Sequence, residues 1–223
     1  MFYRLIILCF FLPGQLFGQF FFRMEGEFSI KQKNGYFQNL TIGHFYYDRN
    51  TRKLVYKVRF PEPEVYVAFD TVMYRFKEGA LQSKERIPEI VPFSLFHLVL
   101  SQELPSYGLE TSLYRPEKTE KEKDLILTTW IPPESLQDKY GKIITALRNN
   151  ILYGTIFYTP GGELASRQFF EDYVNVSGLI VPSRIIRITP KGKIEIYEEI
   201  KLRNIQLNNV AENFYYDFPL PAL

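Results

Sequence analysis

The chain has almost no cysteine. Cys9 is the single thiol in 223 residues, and it lies inside an apolar N-terminal run. One thiol excludes an intrachain disulfide framework and any multi-thiolate metal site. Histidine is nearly as scarce: His44 and His97 stand far apart, and neither sits in a His-Glu-x-x-His pattern. Each reads as a structural histidine. A Gly-x-Ser-x-Gly nucleophile turn is also missing. Gly161-Gly162 precedes no helical pattern, so it reads as a hairpin turn and not as a phosphate cradle. Catalytic residues, metal ligands and cofactor motifs are therefore all expected to be none. Charge of one sign is lacking too. Lys and Arg total 27 against 25 Asp and Glu, a net +2, which leaves no electrostatic case for nucleic acid. No apolar run reaches the ~20 residues that a bilayer-spanning helix needs.

What is present begins with Arg4, the apolar stretch Leu5–Leu12, and a small residue at Gly18. That order fits a secretory signal peptide, read here as residues 1–18 with the cut before Gln19. Leu8 precedes Cys9 where a lipidated cysteine needs a small residue, so the mature chain reads as cysteine-free and unlipidated. Residues 19–223 fit one domain, since all-β barrels of this length often stay undivided. An exported chain without disulfides suits the bacterial periplasm.

Aromatic residues make up 17% of the chain, nearly all Phe and Tyr, and they fall in strand-like runs. Arg23 to Lys33 alternates and stops at Asn34-Gly35; Thr41 to Asp48 follows. Leu54, Tyr56, Val58 and Phe60 share one face, and Pro61 and Pro63 end that strand. Val65, Val67 and Phe69, then Val72, Tyr74 and Phe76, read as the next inward sets. Further strands are expected at Tyr107–Tyr114, Leu125–Ile131, Glu163–Tyr173, Ile180–Thr189 and Ile194–Leu207. In the last of these the apolar parity switches at Ile205, which predicts a bulge or bend. Arg115–Asp124, a run of charges, reads as a solvated hairpin loop. Residues 133–150 fit either a helical stripe or a hairpin; the Asn149-Asn150 turn favours the hairpin, with one helical turn after Pro133.

One segment breaks the period of two. Phe93, Phe96, His97 and Leu100 fall at helical spacing behind Pro92, and Leu95, Leu98 and Val99 make the other faces apolar. A short helix this greasy is buried, or it covers a greasy opening. Eleven to thirteen strands in one twisted sheet tend to curl toward a barrel.

At this point the chain resembles the LolA/LolB-like superfamily of outer-membrane lipoprotein carriers. The resemblance rests on the opening strand Glu27-Phe-Ser-Ile-Lys-Gln-Lys33, on Gly43-His-Phe-Tyr-Tyr-Asp-Arg49 and on Leu54–Pro61. It continues through Val67-Ala-Phe-Asp70 with Tyr74 and Phe76, Pro92-Phe-Ser-Leu95, and the tail Phe214-Tyr-Tyr-Asp-Phe218-Pro219. It covers about residues 23–218 with soft motifs. The chain departs from the pattern at Asn50, where the carriers have proline, and at Thr71, where they have glycine. The N-terminal helix of the carriers is not expected here, which suits a divergent branch.

The resemblance implies a mainly β fold, an unclosed antiparallel barrel of roughly eleven strands with a short helical lid. It implies a cavity for lipid or the acyl chains of lipoproteins, and an Arg49 that contacts the lid. The partners it implies are an inner-membrane ABC transporter and an outer-membrane acceptor; the carrier itself uses no nucleotide or metal. The expected lipid-binding residues are Leu54, Tyr56, Val58, Val67, Tyr74, Phe93, Phe96, Leu100 and Trp130. The leading expectation is a monomeric, non-enzymatic periplasmic carrier. A periplasmic regulatory or sensor module on the same scaffold is the alternative, and an enzyme ranks third. The aromatic faces fit a filled core as well as a cavity, because small barrels are usually filled by their own side chains.

Overall fold

The computed structural model describes residues 20–35, 37–86 and 94–221. Thirteen strands form one antiparallel sheet. They are β1 (Arg23–Asn34), β2 (Phe37–Asp48), β3 (Lys53–Phe60), β4 (Glu64–Phe69), β5 (Val72–Lys77), β6 (Ala80–Arg86), β7 (Arg115–Glu122), β8 (Leu125–Ile131), β9 (Ile143–Arg148), β10 (Ile151–Tyr158), β11 (Leu164–Val176), β12 (Leu179–Lys191) and β13 (Ile194–Leu207). Among the described residues the α-helices are short: α1 (Leu95–Leu100) and α2 (Asn213–Tyr216). The spatial order β6-β5-β4-β3-β2-β1-β13-β12-β11-β10-β9-β8-β7 joins the two ends of the chain through β1 and β13. β6 and β7 remain unpaired with each other, so the sheet is curled but not closed.

The chain between these two edges carries α1, which packs on β1 and β12. One apolar cluster joins α1 to residues from β1–β4 and β8–β13: Met24, Phe28, Phe45, Leu54, Trp130, Leu152, Phe170 and Leu202 are among them. Strands from both arms of the sheet thus converge on one helix, which defines an inner face. A second cluster lies on the other face, where the C-terminal segment lays Tyr216, Phe218 and Leu220 over Tyr46, Val55, Val67, Tyr74 and Phe76.

Three expectations need correction. Val67 and Tyr74 do share a face, but it is the outer one. The register runs Tyr46–Val55–Val67–Tyr74 across four strands. The inner positions are the neighbours Leu54, Ala68 and Met73. Residues 107–114 are turns and not a strand, yet Tyr107 and Leu109 are buried. Arg115–Glu122 is a strand and not a loop, with every residue exposed. Its charges suit an edge, because they discourage a further strand from adding.

Elsewhere local chemistry and structure agree. A 3-10 turn at Glu134–Leu136 precedes the β9–β10 hairpin. The parity switch in β13 is a bulge: Glu25 faces Gln206 but Glu27 faces Arg203, and Asn204 has a positive φ of 51°.

Candidate functional site

The inner face is built around α1. Ser94 caps it, its Oγ accepting from the His97 backbone N–H at 3.3 Å. Phe96, Leu98, Val99 and Leu100 are all buried, so the helix presents apolar side chains nearly all round. The Phe96 ring stacks on Phe45 with centroids 4.3 Å apart, and lies 6.2 Å from Tyr47 and 6.4 Å from Tyr56. Beneath it Tyr56 meets Phe28 edge-on at 5.2 Å. Such pairs add only modestly to what their buried area already contributes.

Polar contacts tie α1 to β2 and the turn after it. Arg49 Nη1 donates to the Leu100 carbonyl at 2.8 Å, one of the orphan acceptors of the last turn. The same guanidinium lies 4.5 Å over the Phe20 ring. Tyr47 OH lies 2.7 Å from His97 Nδ1, and Ser101 Oγ 3.3 Å from Nε2. Burial, then the charges of Arg52 and Arg49, holds the His97 pKa below its ordinary value, opposed by Glu103. A neutral ring is thus favoured. Burial likewise pushes the Tyr47 phenol up, so it keeps its proton and donates to Nδ1. Nε2 then carries the proton and donates to Ser101.

Of the residues singled out from sequence, Leu54, Val58, Phe96, Leu100 and Trp130 are buried together in this cluster, and Tyr56 packs against it. Trp130 Nε1 donates to Thr145 Oγ1 at 2.9 Å, satisfying the one polar atom of its ring. Val67 and Tyr74 belong to the outer cluster. Phe93 lies outside the described residues. Sequence reasoning missed Phe45 and Tyr47, although their alternation within Thr41–Asp48 carried the signal. It also missed Leu104, Tyr107 and Leu109, which fall in turns and carry no periodic signal.

Two hollows adjoin these clusters. A cleft of about 300 Å³ opens beside α1, lined by Val99, Gln102, Leu104, Ile151, Tyr173 and Ile180 among others, none of them charged. That volume lies at the lower end of small-molecule sites, which start at roughly 300 Å³. On the outer face a polar groove of about 320 Å³ runs past Glu25, Glu27, His44, Tyr46 and Glu212. There the Glu25 carboxylate is already satisfied: it accepts from Tyr216 OH at 2.8 Å and from Asn209 Nδ2 at 2.7 Å. Among the described residues, no three His, Cys, Asp or Glu side chains are placed to hold a metal ion. No helix among them is long and apolar enough to cross a membrane.

No family model matches the sequence, and no curated protein matches it. Solved structures do match in shape. A LolA superfamily protein from Nitrosomonas europaea superposes with a TM-score of 0.60 at 14% identity, covering 86% of this chain and 89% of that one. A DUF1329 family protein from Desulfovibrio piger gives 0.63 at 11%, covering 89% and 90%. A domain assigned as an outer membrane lipoprotein-sorting protein, from Vibrio parahaemolyticus, gives 0.62 at 13%, covering 86% and 88%. At these identities the likeness is one of fold. The chain has the LolA-like unclosed barrel, with the inner face under a short helix.

Proposed function

We propose that this LolA-like fold is a non-enzymatic carrier that holds a lipid, or the acyl chains of a lipoprotein, against its inner face. The observation that carries the reading is the cover itself. Six residues of helix, tied to the sheet by Phe96, by Arg49 and by Tyr47, are the lid over an apolar wall assembled from both arms of an open sheet. Displacing it uncovers four buried apolar side chains, at about 1.5–3 kcal/mol each. Each methylene placed on the wall in its stead contributes about 0.8 kcal/mol. A full acyl chain therefore offsets the loss. Leu54, Tyr56, Val58, Phe96, Leu100 and Trp130 are the residues assigned to cargo, and Arg49 to the lid.

The finer setting rests on the sequence and on the likeness to lipoprotein-sorting folds. Residues 1–18 export the chain, residues 19–223 act as a single domain in the periplasm, and the monomer works between an inner-membrane ABC transporter and an outer-membrane acceptor. Native mass spectrometry of the protein purified from its exported compartment tests the central claim. Co-purifying acyl mass on the wild type, lost in Phe96→Asp while β-sheet circular dichroism persists, is the expected result. A wild type that never carries acyl mass, with a Phe96→Asp variant that unfolds outright, makes α1 a core element and sinks the carrier reading.

A further inference from the structure

The inner face changes character along the strands, and the change is abrupt. Register places Leu202, Phe28 and Gly43 side by side on β13, β1 and β2. Two residues further along, on the same face, Phe170, Ile185, Ile200 and Ile30 form a second apolar row across β11, β12, β13 and β1. Two residues beyond, about 6–7 Å on, the row reads Gln168, Arg187, Glu198, Gln32 and Asn39 across five strands. Every member is polar. Arg187 and Glu198 pair at 3.0 Å, with 44% and 19% of their side chains exposed, so this row is a solvent-reaching rim.

One phenol stands over the boundary. Tyr107 OH donates to Gln168 Oε1 at 3.4 Å, while its ring packs 5.6 Å from Phe157 and 6.1 Å from Phe170. Burial pushes this phenol up, and the nearby Arg187 charge opposes that shift.

Resting on the carrier reading above, we propose that this row is the head-group site of the cargo, and that it selects an amphiphile whose head carries no net charge. The apolar rows take the chain, and the boundary at Tyr107 marks where chain becomes head. Selection follows from the balance of charge. The one guanidinium is matched by the one carboxylate, and the carboxamides of Gln168, Gln32 and Asn39 both donate and accept. A zwitterionic head, or a glycerol ester, finds donors and acceptors here without disturbing the pair. An anionic head has to draw Arg187 away from Glu198 and leaves that carboxylate unpaired beside it, a repulsive element directed against the wrong ligand.

Charge-altering variants of the full exported chain test this, using palmitoyl lysophosphatidylcholine and palmitoyl lysophosphatidylglycerol below their micellar concentrations. Isothermal calorimetry reads the ratio of the two affinities. The wild type is expected to favour the zwitterionic lipid by about tenfold, the effect of one nearby charge at a partly exposed site. Glu198→Gln frees the guanidinium and brings the ratio to parity or beyond. Gln168→Glu, a separate variant that keeps the Arg187–Glu198 pair, moves the ratio the opposite way. Glu195→Gln, which alters only the exposed pair with Arg167, leaves it alone. Lipid binding with the same ratio in all four proteins overturns the head-group assignment and leaves the carrier reading standing. A wild type that binds neither lipid overturns both.

Discussion

Gly43 shows how one residue fixes the wall. It sits at a β2 bulge opposite Val58, and a Cβ there would meet the Lys57 carbonyl at 2.3 Å and the Phe28 ring at 2.9 Å. The backbone of β3 and an aromatic of the inner face both close on the bare Cα. Gly43→Ala is therefore expected to lower stability by about 1–3 kcal/mol, as overpacking does, read as a fall in the urea midpoint with an unchanged slope. An unchanged midpoint means that β2 and β3 yield locally. Val67 and Tyr74 give the complementary lesson on what a sequence reveals. Alternation correctly groups them with Val65, Phe69, Val72 and Phe76. Period two cannot say which of two faces is covered, and a residue slip in parity exchanges them all. The outer cover comes from Tyr216 and Phe218, about 150 residues further along the chain, so no local signal near Val67 could have named it.

Among the elements, α1 was the most legible and the segment after it the least. Helical spacing announces a short greasy helix, whereas residues 103–114 fold as successive turns and still bury Leu104, Tyr107 and Leu109. Turns have no period, so burial there is decided by contacts with distant strands. β7 was misread for a related reason: charge density suggests a loop, but an edge strand can afford charges on both faces. The hold on α1 also makes a pH prediction. His97 meets Tyr47 from β2, Arg49 and Arg52 from the turn after it, Ser101 from its own C-terminus and Glu103 beyond. Its folded pKa is lowered, whereas an unfolded imidazole titrates near 6.5. Below about pH 6.5 the undocked or unfolded state takes up the proton first. The stability from docking neutral His97 is thus complete above that pH and declines as acid approaches the folded pKa. Hydrogen exchange of the α1 amides should accelerate between pH 6.5 and 5, after correction for intrinsic rates, and His97→Gln should flatten that dependence. Equal pH profiles in the two proteins would mean that the imidazole does not hold the helix.

At the level of the whole molecule, the strand pattern implied a curled sheet and the family resemblance an unclosed antiparallel barrel, but neither that β1 and β13 would join its halves nor that β6 and β7 would be its edges. The β1–β13 pairing links residues 162 to 183 positions apart. Once the edges are known, the architecture makes a filled inner face compatible with the proposed carrier reading. The two edges are joined only through the chain segment that bears α1. The sheet therefore has no closing hydrogen bonds to break when that segment moves. Cargo that replaces α1 on the wall binds the folded state alone, and mass action then requires it to stabilise the protein, by about 2.7 kcal/mol at one hundred times the dissociation constant. Val58 reports on this directly. It is buried in the inner cluster, between Gly43 on β2 and Glu64 on β4. Val58→Trp should occupy the space that α1 vacates for cargo. Without lipid the variant is expected to lose no more than about 1–3 kcal/mol, the usual range for overpacking. With saturating palmitoyl lysophosphatidylcholine, the wild-type midpoint should rise while the variant's does not. The two measurements separate the cases. A large loss without lipid and no rise in either protein describes a packed barrel. A rise that survives Val58→Trp places the cargo somewhere other than this wall.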